Sequence, residues 1–123
     1  MENLIIQSTE ETPEINFNIN GTLLIKGVSI PENITLFYTP IVNWLNELQN
    51  NLPNSVNLTF EIEYINTSST RVFIDIIKKV AAIKATLPNT TITWKYEEDD
   101  EDNFDLGKDL EYSAKTEFVF EVI

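Results

Sequence analysis

The chain contains no cysteine and no histidine. Without cysteine there is no disulfide framework, no thiol nucleophile and no cysteine-ligated metal. Without histidine, the commonest general base and the commonest transition-metal ligand are both missing. Glycine occurs only at positions 21, 27 and 107, which is too few to build a glycine-rich phosphate loop. Basic residues are scarce, 8 against 20 acidic ones, for a net charge of −12. That balance removes the basic face that nucleic acids and anionic membranes require. It points instead to a protein partner or to a basic patch on an enzyme. No apolar run approaches membrane-spanning length. Met1 to Ile6 lacks the basic segment and long apolar core of a signal peptide, so the expected location is the cytoplasm.

What is present is a globular composition. The 123 residues are 42% hydrophobic and 11% aromatic, enough for one domain over residues 1–123 with its own core. Ile15, Phe17 and Ile19 alternate with polar residues, and so do Leu23 and Ile25 beyond Asn20-Gly21. An Asn-Gly pair between such runs predicts a hairpin of residues 14–19 and 22–27, closed by a type I′ turn. The segment before it, Leu4 to Pro13, adds a short edge strand or covers the sheet.

A loop is expected from Gly27 to Asn33. Phe37, Ile41, Trp44, Leu45 and Leu48 then share one helical face, predicting a helix from about Asn33, bent near Pro40 and ending by Leu52-Pro53. Val56, Leu58, Phe60 and Ile62 alternate through a strand at 55–64. Phe73, Ile76, Ile77, Val80 and Ile83 predict a helix over 68–86. Ile92, Trp94 and Tyr96 mark the next strand. Strand, helix, strand is a βαβ unit, with parallel strands and a right-handed crossover. After the acidic run Glu97 to Asp102, Phe104 and Leu106 to Leu110 suggest a helix of about three turns, weakened by Gly107. Phe118, Phe120 and Val122 close the chain as a strand. Because every strand alternates, the expected fold is a mixed α/β sheet with helices mainly on one face.

Few residues suggest chemistry. The acidic run fails the EF-hand pattern, since neither Asp99 nor Asp100 as first ligand puts glycine sixth. Carboxylates clustered at a helix N-terminus account for it. Glu61 with Glu63, or Glu97 with Asp99, are solvated strand pairs with nothing to separate their pKa values. Trp44, Trp94, Phe37, Phe73 and Phe104 lie on apolar faces and read as core. No metal or cofactor is expected, and catalysis is disfavoured.

The hydroxyl run Thr67-Ser68-Ser69-Thr70, with Asn66 before it and Arg71 after it, sits between the central strand and the following helix. It admits two readings. One is a helix cap, a Ser or Thr oxygen accepting from first-turn amides. The other is a phosphorylation corner. A phosphate on Thr67 would gain from the helix dipole and reach Arg71 one turn on. It would also add about −1.5 to −2 charges where a partner approaches.

The order hairpin, helix, strand, Asn-Thr-Ser-Ser, helix, strand resembles the STAS-type anti-sigma-factor antagonists. Those carry a phosphorylatable Ser or Thr at this corner, usually after Asp and before Gly; here Asn66 and Ser69 hold those places. The chain is more similar to the SiaC-like regulatory phosphoproteins, a STAS-like branch. The matching stretches are Gly27-Val28-Ser29-Ile30-Pro31-Glu32-Asn33, Phe37-Tyr38-Thr39-Pro40, Trp44-Leu45, Glu63 to Ser69, Asp75-Ile76 and Trp94 to Asp102.

The resemblance implies a non-enzymatic partner switch. A Ser/Thr kinase phosphorylates Thr67, with Ser68 the alternative acceptor, and a PP2C-type phosphatase reverses it. The unphosphorylated form engages an effector, a diguanylate cyclase in the best-known branch. The resemblance places Asn66 and Ser68 on either side of the acceptor Thr67. The expected partner surface is the corner itself, Asn66, Thr67, Ser68, Ser69 and Arg71, together with Glu32 and Asn33 near it. The alternative is a constitutive interaction module in which the hydroxyl run is only a cap.

Overall fold

Alternation along the central strand sends Leu58, Phe60 and Ile62 to one side of a sheet, where all are buried. The same period carries through the neighbouring strands, so side chains line up across the sheet in rows. One row runs Ile6, Ile15, Ile25, Phe60, Trp94 and Phe120. The next runs Leu4, Phe17, Leu23, Leu58 and Ile92. These rows, with the inner faces of the helices, form one core. Burying each large side chain among them contributes roughly 1.5–3 kcal/mol.

The computed structural model describes all residues, 1–123. Its elements are β1 (Leu4–Ile6), β2 (Glu14–Phe17), β3 (Thr22–Ser29), α1 (Ile34–Gln49), β4 (Asn57–Ile65), α2 (Thr67–Thr86), β5 (Thr91–Tyr96), α3 (Glu101–Ala114) and β6 (Val119–Val122). The six strands lie in chain order, β1-β2-β3-β4-β5-β6. The first three pair antiparallel and β3 to β6 pair parallel. Crossovers of one hand that always advance in one direction leave their helices on one face. Accordingly α1 packs on α2 and α2 on α3, the one-sided mixed α/β arrangement expected from alternation. All three helix N-termini therefore gather at the end of the sheet where β3, β4 and β5 finish. No helix is long and apolar enough to cross a membrane.

Several expectations change in detail. The hairpin forms, but its strands are 14–17 and 22–29, and Asn18 and Ile19 belong to the turn. The turn is not type I′, because Asn20 does not take positive φ; Gly21 does, at 98°. The Gly21 N–H donates to the Asn18 carbonyl, and a Cβ on Gly21 would lie 1.8 Å from the Ser55 carbonyl oxygen. The segment before the hairpin supplies β1 as an edge strand.

The expected loop from Gly27 is also displaced. β3 continues to Ser29, because a bulge after Gly27 restores pairing of Val28 and Ser29 with Tyr64 and Ile65. Pro40 lies inside α1. α3 is longer than three turns and starts within the acidic run, at Glu101, with Asp100 as its cap.

Candidate regulatory site

The bulge skips Glu63, so β4 changes phase just before it ends. Tyr64 then faces out, 60% exposed, and Ile65 turns inward with Ser29. A single residue, Asn66, separates β4 from α2. Its extended backbone ends the strand, and its side-chain Oδ1 accepts from the Ser69 N–H at 2.9 Å. The Asn66 N–H is held in turn by the Ser29 carbonyl. The cap is therefore the asparagine, and the expectation of a Ser or Thr cap is corrected: the hydroxyls begin one residue too late.

The same device starts every helix. Asn33 accepts from the Leu36 N–H and Asp100 from the Asn103 N–H, each at 3.0 Å.

Once Asn66 is the cap, the four hydroxyls separate by helical phase. Thr67 and Ser68 are exposed and make no side-chain hydrogen bond. Their N–H groups stand at the start of α2 with no carbonyl four residues back inside the helix. Thr70 Oγ1 turns back to the Asn66 carbonyl at 3.1 Å. Ser69 is wholly buried, which removes it from any surface a partner can touch and corrects its inclusion among contact residues.

Ser69 instead joins a hydrogen-bonded chain beneath the corner. Ser29 Oγ lies 2.7 Å from Ser69 Oγ and 2.6 Å from Tyr38 Oη, and Ser69 Oγ also donates to the Ser29 carbonyl at 2.9 Å. Strand β3, helix α1 and helix α2 are thus tied together by three hydroxyls that are between 0% and 2% exposed. Burial pushes the Tyr38 phenol up to about 12, with the Ser29 hydrogen bond partly offsetting it. Ser29 and Tyr38 fall in the stretches that match the SiaC-like pattern, but sequence reasoning gave neither a role. Ser29 is in phase with the inward-facing Leu23 and Ile25, and that was the available signal.

Around Thr67 is a groove of about 460 Å³, walled by Tyr64, Asn66 and Thr70 on one side and by Asp100, Asp102 and Leu106 on the other. Arg71 is exposed and forms no ion pair with any carboxylate. Thr67 therefore sits between an unpaired cation one helical turn on and the acidic start of α3. Glu32 and Asn33 are at the same end of the molecule and line a different groove, beside α1. The carboxylates of the acidic run, meanwhile, do not gather about any point as metal ligands would.

Fold and corner together define a small α/β domain, with one helix-covered face and its polar junctions collected at one end. The chain belongs to the SiaC family of regulatory phosphoproteins, whose family profile matches residues 6–123. An uncharacterized protein of Pseudomonas aeruginosa is 23% identical over 122 residues, 98% of this chain and 97% of that protein. The fold is shared with apo-SiaC from Pseudomonas aeruginosa, at a TM-score of 0.84 and 24% identity over 99% of this chain and 98% of that one. It is shared too with a structure of the diguanylate cyclase SiaD in complex with its activator SiaC, at a TM-score of 0.86 and 23% identity over 97% of each chain.

Proposed function

We propose that this protein is a non-enzymatic partner switch acting in the cytoplasm and set by reversible phosphorylation of Thr67. A Ser/Thr kinase transfers the γ-phosphoryl group of ATP to Thr67 Oγ1, and ADP leaves. A PP2C-type phosphatase hydrolyses the ester. The unphosphorylated form binds and regulates an effector, which the solved SiaC–SiaD pair suggests is a diguanylate cyclase.

The observation that carries this reading is the state of the Thr67 hydroxyl. It is exposed, bonds to nothing, and is not needed as a cap because Asn66 fills that role. Free first-turn amides and the unpaired Arg71 favour a phosphate there. Asp100 and Asp102 across the groove act in the opposite sense. A phosphate added beside them makes an already acidic corner more repulsive to an acidic surface and adds bulk where a closely packed partner would sit. The modification thus changes recognition without a change of fold.

Intact-mass measurement after incubation with the cognate kinase and ATP tests this. One phosphate on the wild type, none on Thr67→Ala, one on Ser68→Ala, and its removal by the phosphatase are the expected results. Phosphate persisting on Thr67→Ala would move the switch to another residue.

A further inference from the structure

A groove of about 780 Å³ lies away from the Thr67 corner, and no residue lines both. Its apolar floor is made by Ile6 at the sheet edge and by Leu36, Phe37 and Pro40 on the first turns of α1. Leu36 is 75% exposed, a large aliphatic side chain left in water. Above the floor stand Glu10, Glu11 and Glu32. No basic residue lines the groove, and none of the three carboxylates enters an ion pair.

The rim is also preformed. Thr9 Oγ1 accepts from the Glu11 and Thr12 amides at 3.1 and 3.0 Å and meets Thr12 Oγ1 at 2.7 Å. The Glu11 carbonyl then accepts from the Ile30 N–H at 2.8 Å, which ties this turn to the loop before α1. Pro40 has no N–H to offer the Leu36 carbonyl four residues back, so one helix bond is missing on this face of α1.

We propose that this groove is a second docking surface, for a basic amphipathic helix of a partner protein. Leu36 and Pro40 are spaced i, i+4, so they form a helical ridge against which another helix can pack. The partner supplies apolar anchors for the floor and Lys or Arg side chains for the rim, the helix-in-groove mode of recognition. Charge complementarity selects this occupant, since three unpaired carboxylates oppose acidic peptides and anionic lipid alike. The surface is independent of the phosphate, so an effector or kinase can remain tethered here while the corner changes state.

The test uses the ¹⁵N-labelled full chain and three synthetic peptides. The first is a helical Leu/Lys peptide with its leucines on one face, the second has Glu in place of Lys, and the third has the leucines scattered. The first peptide is expected to shift amides of residues 9–12 and 31–40, with at least tenfold weaker binding to Leu36→Asp and to the Glu10→Lys/Glu11→Lys/Glu32→Lys chain. Thr67→Glu should bind it as the wild type does. All the substituted side chains are exposed, and an unchanged spectrum of the free variant establishes folding. If Leu36→Asp fails to fold, the triple variant carries the test. Equal binding of the scattered peptide, shifts spread over the acidic surface or centred on Thr67, or full binding by the variants would each overturn the proposal.

Discussion

Asn66 and the Ser29–Ser69–Tyr38 chain do separate work at the corner, and single substitutions distinguish them. Asn66→Ala leaves the Ser69 amide without its acceptor and should lower stability by about 1 kcal/mol, while Asn66→Asp retains the cap; urea midpoints give both values. Tyr38 acts through its proton. An unfolded tyrosine ionises near pH 10, whereas in the folded protein burial holds the phenol to about 12. The folded state therefore binds more protons between these values, so its stability falls as pH rises through that window and is fully present below it. Two pH units correspond to roughly 3 kcal/mol. Denaturation of wild type and Tyr38→Phe at pH 9 to 12 should show a falling limb in the first that is flattened in the second, while Ser29 keeps its bond to Ser69. A falling limb of equal depth in both would assign it to other groups.

At the scale of elements, Gly107 shows how packing overrides propensity. In an exposed helix, replacing glycine by alanine gains up to about 1 kcal/mol. In α3 a Cβ at 107 would stand 2.6 Å from Trp94 Cδ1 and 2.7 Å from its Cγ. The indole cannot retreat: it is wholly buried, and its N–H donates to Asn103 Oδ1 at 2.9 Å. Gly107→Ala should therefore destabilise by about 1–3 kcal/mol, with a lowered thermal midpoint and a shifted tryptophan emission. The sequence pattern alone makes Gly107 a weak point of a short helix; the structure makes it the place where α3 seats on the sheet. Elements whose signal is local were legible in this way: the alternating strands, the hairpin and the two long helices. The Gly27 bulge depends on which strand β3 meets, so no local pattern shows it. That bulge carries β3 to Ser29 and brings Tyr38 and Ser69 together. Capping by Asn66 moves only the start of α2, to Thr67; Ser69, one turn before Phe73 on the buried stripe, is covered, while Thr67 falls off that stripe and is exposed.

For the whole molecule the governing quantity is its charge of −12, a long-range attraction for basic partners that salt weakens. On the helix-free face of the sheet, however, charge is ordered locally. Glu14, Lys26, Glu61, Lys95 and Glu121 form one row across five strands, alternating in sign. Glu61 bridges Lys26 at 3.4 Å and Lys95 at 3.9 Å. Reversing its charge sets two effects against each other. Glu61→Lys relieves the global repulsion by two charges, yet places three cations side by side. At these separations the local contacts are well inside the Debye length of about 8 Å, and most other charges are outside it. The local effect should win: Glu61→Lys is expected to lose about 1 kcal/mol, and Glu61→Gln less than that. Glu98→Lys, exposed and unpaired, makes the same change in net charge without touching the row and should be neutral or slightly stabilising. Urea midpoints for the three variants at low and high salt decide the matter. If Glu61→Lys matches Glu98→Lys, the row is solvated decoration and net charge alone governs; a gap between them that shrinks with salt assigns the difference to the alternating ladder.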